Sequence, residues 1–216
     1  TIKFCEDNED REELFVHLQI TKAKAYENQG NLVKALEIFK QIQLYYDEIE
    51  SADTFVLRRM ASIWEELDNE KNALIFYKQI LKFNSEDREI LVKVVRLLKK
   101  SHKIDELFSY LERMHMLWPN NNNFTMEYAN ALMGKNEYPK ALALYTQIAE
   151  QDDLSDETYD DAIIASLKMG ECVLKMGDPK TAYKIFRALV KDDNKFKEAW
   201  DGLAIAATEL GKRSEA

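Results

Sequence analysis

Glycine and proline are scarce in this chain, at 6 and 3 of its 216 residues. A many-stranded fold needs those residues at its turns, so a β-rich protein is excluded and helix is the expected state. Cysteine is scarcer still. Cys5 and Cys172 stand far apart, with neither a zinc-site spacing nor the number that a disulfide framework requires. Two free thiols suit a reducing compartment, so a cytoplasmic location is expected. No apolar run reaches the roughly 20 residues of a bilayer span, and no charged-then-apolar leader opens the chain. Membrane insertion is therefore not expected. Phosphate-cradling glycine loops, nucleophile elbows and paired-histidine zinc helices are missing as well. His17, His102 and His115 stand in no motif and read as helix-surface or turn residues. Adjacent acids such as Glu65 and Glu66 suit a charged helix face better than a glycosidase pair. The expectation is a chain without catalysis, metal or cofactor.

What is present is apolar and charged in the proportions of a folded domain, 46% and 32%. The formal charge of −9 disfavours nucleic acid, whose non-specific binding rests on Lys and Arg neutralising phosphates. Residues 1–13, acidic from Glu6 to Glu13, read as a tail or cap ahead of the main domain at 14–216.

That domain is repetitive. The segments GNLVKALEIFKQI, DNEKNALIFYKQIL, NEYPKALALYTQIA and GDPKTAYKIFRALV each pass from a turn residue to a small residue, then to an aromatic four positions on. The pairs are Ala35 with Phe39, Ala73 with Tyr77, Ala141 with Tyr145, and Ala182 with Phe186; Leu107 and Leu111 mark a weaker copy. Spacings from Ala35 run 38, 34, 34 and 41, and a further 34 reaches Ala216. About twelve residues before each anchor stands Ala23, Ala61, Val95, Ala129, Gly170 or Ala204. Three positions after these come Tyr26, Trp64, Leu98, Leu132 and Val173, with Ala207 in the last copy. Steps of three and four put such residues on one helical face. Each unit therefore reads as helix, short turn, helix. The small residues let backbones approach, and the aromatic fills the space beside the contact.

Turn chemistry agrees. Pro139 and Pro179 fall in the first turn of second helices, and Gly30, Gly177 and Gly211 close first helices. Two connections are long. LYYDEIESADT adds about one helical turn near Asp47–Thr54. EQDDLSDETYDDAI adds about two, with Ser155 as N-cap and Asp152, Asp153, Asp156, Glu157, Asp160 and Asp161 around it. Those acids suit the N-terminus of an extended helix; a site for a cation or a basic partner is the sharper reading, though no calcium-loop spacing accompanies it.

The register resembles the tetratricopeptide repeat family, in five units and the start of a sixth. The best unit, 122–153, carries Tyr128, Ala129 and Leu132, then Tyr138, Ala141 and Tyr145; Pro119 stands where the family often has its proline. Trp200, Leu203 and Ala204 open the last unit. Ile42, Ile80, Met114, Ile148 and Leu189 depart from it, standing where the family has a small alanine. The resemblance implies an all-α fold, a right-handed superhelical array of antiparallel helix pairs (an α-solenoid). Because the chain stops inside a second helix, a portion of a longer protein is expected.

The resemblance also implies that first helices line a groove for a segment of another protein. Its groove positions fall on Arg58 and Arg59, on Lys93 and Arg96, and on Met126, Asn130 and Met133. Arginine forks suit carboxylates, an amide suits a peptide backbone and methionine adapts to apolar contact, so an acidic peptide is the expected ligand. The same charges could instead pair with neighbouring acids. The family's carboxylate clamp is not kept, since its places hold Ile20, Lys24, Arg59, Glu89 and Lys93. The expected role is a protein-interaction scaffold in a larger protein or complex. The alternatives are a recruiting or regulatory module joined to an enzyme outside this segment, an RNA-binding helical array, or self-association through an end face.

Overall fold

The computed structural model describes residues 2–48, 53–151, 156–192 and 196–211. Eleven α-helices and no strands occur among them. They are α1 (Ile2–Asn28), α2 (Leu32–Glu48), α3 (Thr54–Glu66), α4 (Glu70–Phe83), α5 (Arg88–Lys100) and α6 (Ile104–Leu117). There follow α7 (Asn122–Gly134), α8 (Tyr138–Ala149), α9 (Asp156–Lys175), α10 (Pro179–Asp192) and α11 (Lys197–Glu209). The all-α helical repeat expected from the sequence is the observed fold. Two compact units divide it, Thr1–Lys103 and Ile104–Ala216. In the first, each of α1 to α5 packs on its neighbour in sequence. In the second, α6 to α11 do the same, and α9 also touches α7 and α11.

The small residues do what their spacing implied. Ala23, Ala35, Ala61, Ala73, Ala129, Ala141 and Ala182 are fully buried, as are Phe39, Tyr145 and Phe186 beside them. Phe186 shows the steric logic most directly. A Cβ built on Gly170 of α9 would lie 2.5 Å from its ring, and one built on Gly202 of α11 would lie 2.5 Å from it too. The ring therefore occupies a slot that only two hydrogens leave open. Ala204 is half-buried.

First helices end in one recurring way. Gly30, Asp68, His102, Asn136, Gly177 and Gly211 all hold positive φ, from 54° to 80°. Their spacing is that of the alanine anchors. At Gly30 the amide donates to Glu27 O at 2.8 Å, and the next amide, Asn31, donates to Tyr26 O at 2.8 Å. The same pair of bonds recurs at Asp68, His102, Asn136 and Gly177, where the second acceptors are Trp64, Leu98, Leu132 and Val173. This is the Schellman closure, and it satisfies carbonyls that the helix leaves orphaned. The following residue then caps the second helix. Asn69 Oδ1 accepts from Asn72 N at 3.2 Å, and Asp178 Oδ1 from Thr181 N at 3.1 Å. Pro139 and Pro179 sit in the first turns of α8 and α10, as their missing N–H permits.

Beside both long connections a helix is lengthened. α2 runs 17 residues against 14 for α4, and the rest of that connection, 49–52, lies outside the described residues. α9 runs 20 residues against 13 for α7, so the acidic insertion extends its start; Ser155, Asp152 and Asp153 lie outside the described residues. The side chains of 1–14, Cys5 included, are outside them too, while α1 begins at Ile2.

Candidate functional site

In the first unit the expected basic strip lies on α3 and α5, which display Arg58, Arg59, Lys93 and Arg96. Every one of these cations has a carboxylate of the same chain. Arg58 pairs with Asp87 and reaches Glu89 Oε2 at 3.5 Å. Asp87 is also the N-cap of α5, its other oxygen accepting from Ile90 N at 3.1 Å. The carboxylate thus closes a helix end and holds the neighbouring helix at once. Arg59 Nη2 lies 2.6 Å from Glu27 Oε1, on α1, and the Glu27 side chain is only 8% exposed. Lys93 Nζ stands 3.3 Å from Glu89 Oε1 and 5.3 Å from the centroid of the Tyr77 ring. Arg96 pairs with Glu65 of α3, and Lys100 with Glu70 at the start of α4.

These pairs form a ladder across α1, α3 and α5. Most of its rungs are half-exposed and contribute little individually, about 0–1 kcal/mol each. Arg59–Glu27 differs: loss of the arginine would strand a buried carboxylate, at a cost of about 1–3 kcal/mol. Tyr77 ties the ladder to the core, its hydroxyl donating to Glu65 Oε2 at 2.6 Å. Burial first, and then that hydrogen bond, raise its pKa. Alongside, Lys24 Nζ lies 4.9 Å from the centroid of the exposed Phe55 ring.

The second unit brings together the other three expected residues. Met126, Asn130 and Met133 follow one face of α7 at steps of four and three. Both methionines are half-buried against the core, and Asn130 is exposed. Asn130 Oδ1 accepts from the Tyr145 hydroxyl at 2.7 Å. With the amide oxygen on the tyrosine hydroxyl, the NH₂ group is not used by that bond. Tyr145 is fully buried, and burial raises its pKa. On α9 the basic Lys168 is matched by Glu171 of the same helix at 2.8 Å. The exposed amide and half-buried methionines of this unit thus stand in contrast to the charged ladder of the other.

The sequence reading missed the ladder's acids at Glu27 and Asp87. Glu27 was legible in principle, since it lies one repeat spacing before Glu65. It also missed a polar cluster between α6 and α7. There His115 Nδ1 lies 3.0 Å from Thr125 Oγ1, and that hydroxyl donates to Pro119 O at 3.2 Å. The imidazole stacks on Tyr128 at 5.5 Å between centroids, and burial lowers its pKa. His102 is a turn residue. Among the described residues no group of His, Cys, Asp and Glu could hold a metal ion, and no helix is long and apolar enough to cross a membrane. Cys172 is fully buried, and burial pushes its thiol up to about 11.

Residues 165–193, α9 into α10, match the tetratricopeptide repeat family model. No curated protein matches the chain in sequence. Among solved structures it is similar to a tetratricopeptide repeat protein from Parabacteroides merdae ATCC 43184, at 17% identity and TM-score 0.59 over 91% of this chain and 74% of that one. It is also similar to Naa15/Naa10 bound to HypK-THB, at 16% identity and TM-score 0.76, covering all of this chain but 32% of that one. YrrB, a tetratricopeptide protein with an unusual peptide-binding site, matches at 15% identity and TM-score 0.57 over 84% and 88%. The likeness extends well beyond the single matched unit, and the fold is of tetratricopeptide type.

Proposed function

We propose that this tetratricopeptide-type array is a protein-interaction scaffold, whose first helices take up a segment of another protein. The observation that carries the reading is the α7 face, where an exposed amide is hydrogen-bonded to a buried tyrosine and flanked by two half-buried methionines. Such a face offers adaptable apolar contact and one directed donor, which suits the carbonyl of a bound chain. The peptide-binding site named for YrrB is in keeping with this use of the fold.

In the first unit the acidic segment expected from the sequence has to exchange with carboxylates already in place. Arg96, 63% exposed, and Arg58, 36% exposed, are the residues open to that exchange. Arg59 serves chiefly to hold α1 to α3. Probing an array of acidic and of uncharged apolar peptides with the wild type tests both faces. Met126→Ala/Asn130→Ala should lose the uncharged peptides by about tenfold, and Arg58→Gln/Arg96→Gln the acidic ones. Equal binding by the wild type and both variants, with unchanged melting, would remove the first-helix faces as the site.

A further inference from the structure

The acidic insertion ahead of α9 is not absorbed by that reading. α9 is longer at its start than the other first helices of its unit, and the added turns carry Tyr159 and Asp160, with Ile163 directly after them. Together with Leu189 of α10 and Phe196 they border a cavity of about 320 Å³. Its walls are apolar, and two of its apolar residues are open to solvent: Tyr159 is 50% exposed and Ile164 46%. Among the described residues that line it, the charged ones are Asp160 and Asp192, both acidic.

A solvated helix start explains the acids at the beginning of α9, because the helix dipole favours them there. It does not explain Asp192. That residue ends α10, where the dipole disfavours negative charge. An apolar cavity beneath one-signed charge selects a ligand that is apolar at its tip and oppositely charged at its flanks. The volume lies at the small end for ligand sites, which suits a side chain or two rather than a large cofactor.

We propose that this cavity is a docking site for a basic, apolar-tipped segment of another protein, with a leucine- or phenylalanine-sized side chain between α9 and α10 and flanking Lys or Arg against Asp160 and Asp192. The site uses none of the residues on the α7 face, and it is independent of the proposed groove.

Three synthetic peptides of equal length test it: one alternating Lys with Leu, one with Glu in place of Lys, one with Ser in place of Leu. Fluorescence anisotropy should show the Lys–Leu peptide binding about tenfold more tightly than either of the others. Ile164→Asp and Asp192→Lys both change solvent-exposed side chains and should leave the fold intact; each should weaken Lys–Leu binding by about tenfold. Hydrogen exchange on addition of that peptide should slow at the start of α9 and the end of α10. Met126→Ala/Asn130→Ala should leave this binding unchanged, so failure here and failure of the groove are distinguishable. The proposal is overturned if the Lys–Ser peptide binds as well as Lys–Leu, if the Glu–Leu peptide does, or if neither cavity variant alters the affinity.

Discussion

At the scale of single residues, the small positions carry more of the fold than their chemistry suggests. Gly202 is in the interior of α11, where alanine is the better helix former by about 1 kcal/mol. Propensity therefore favours Gly202→Ala. Sterics oppose it, because the new Cβ would meet a fully buried Phe186 ring that Gly170 also confines. Overpacking a core costs about 1–3 kcal/mol, so net destabilisation of about 1 kcal/mol is expected. Urea midpoints of Gly202→Ala, and of the same change with Phe186→Leu, measure this. The second substitution should restore part of the loss, whereas a more stable Gly202→Ala would mean that the slot has slack. The glycine was visible in the sequence; its contact was not, because Phe186 belongs to another helix and only packing shows which residue faces it.

At the scale of helices, the turns were legible where glycine marks them and hidden where it does not. Asp68, His102 and Asn136 take the same left-handed conformation as Gly30. Residue type signals glycine there, but a β-carbon costs only about 1–2 kcal/mol, which two closing hydrogen bonds can outweigh. The α6–α7 pair offers a test of burial. His115 is held by Thr125 and stacked on Tyr128, with Glu112 reached only through the Tyr128 hydroxyl at 3.0 Å. Burial lowers its pKa below the ordinary 6.5, so the unfolded chain takes up a proton that the folded one resists. Stability present above pH 6.5 should therefore decline as pH falls from 6.5 through the folded value. Denaturation midpoints between pH 7.5 and 5 should fall less steeply in His115→Gln than in the wild type, over about that interval. Parallel slopes would show that the ring protonates as freely folded as unfolded.

At the scale of the whole molecule, charge decides what the chain can attract. Acids outnumber bases, 39 to 30, and the cations clustered on α3 and α5 are already paired. A phosphate backbone would have to displace those carboxylates one by one. Random RNA should accordingly bind weakly near physiological salt, without the steep loss of affinity on raising salt that many phosphate contacts produce. A salt titration by filter binding or anisotropy measures it, and a slope of several phosphates would restore the RNA-binding alternative.

The fold followed from the sequence because its cause is local and repeated. A small residue and an aromatic four apart, twelve residues after another small residue, set which faces two adjacent helices bury. That pattern needs no knowledge of distant contacts. The candidate sites were only partly readable for the opposite reason. Arg58 and Asp87 are 29 residues apart, and Arg96 and Glu65 are 31 apart. Whether they pair depends on how each helix is rotated about its axis against the next, which packing settles after the helices have formed. The same holds for the cavity beside α9. The sequence determined that acids and extra turns stand there; the tertiary structure alone decided that Leu189, Asp192 and Phe196 would close around them.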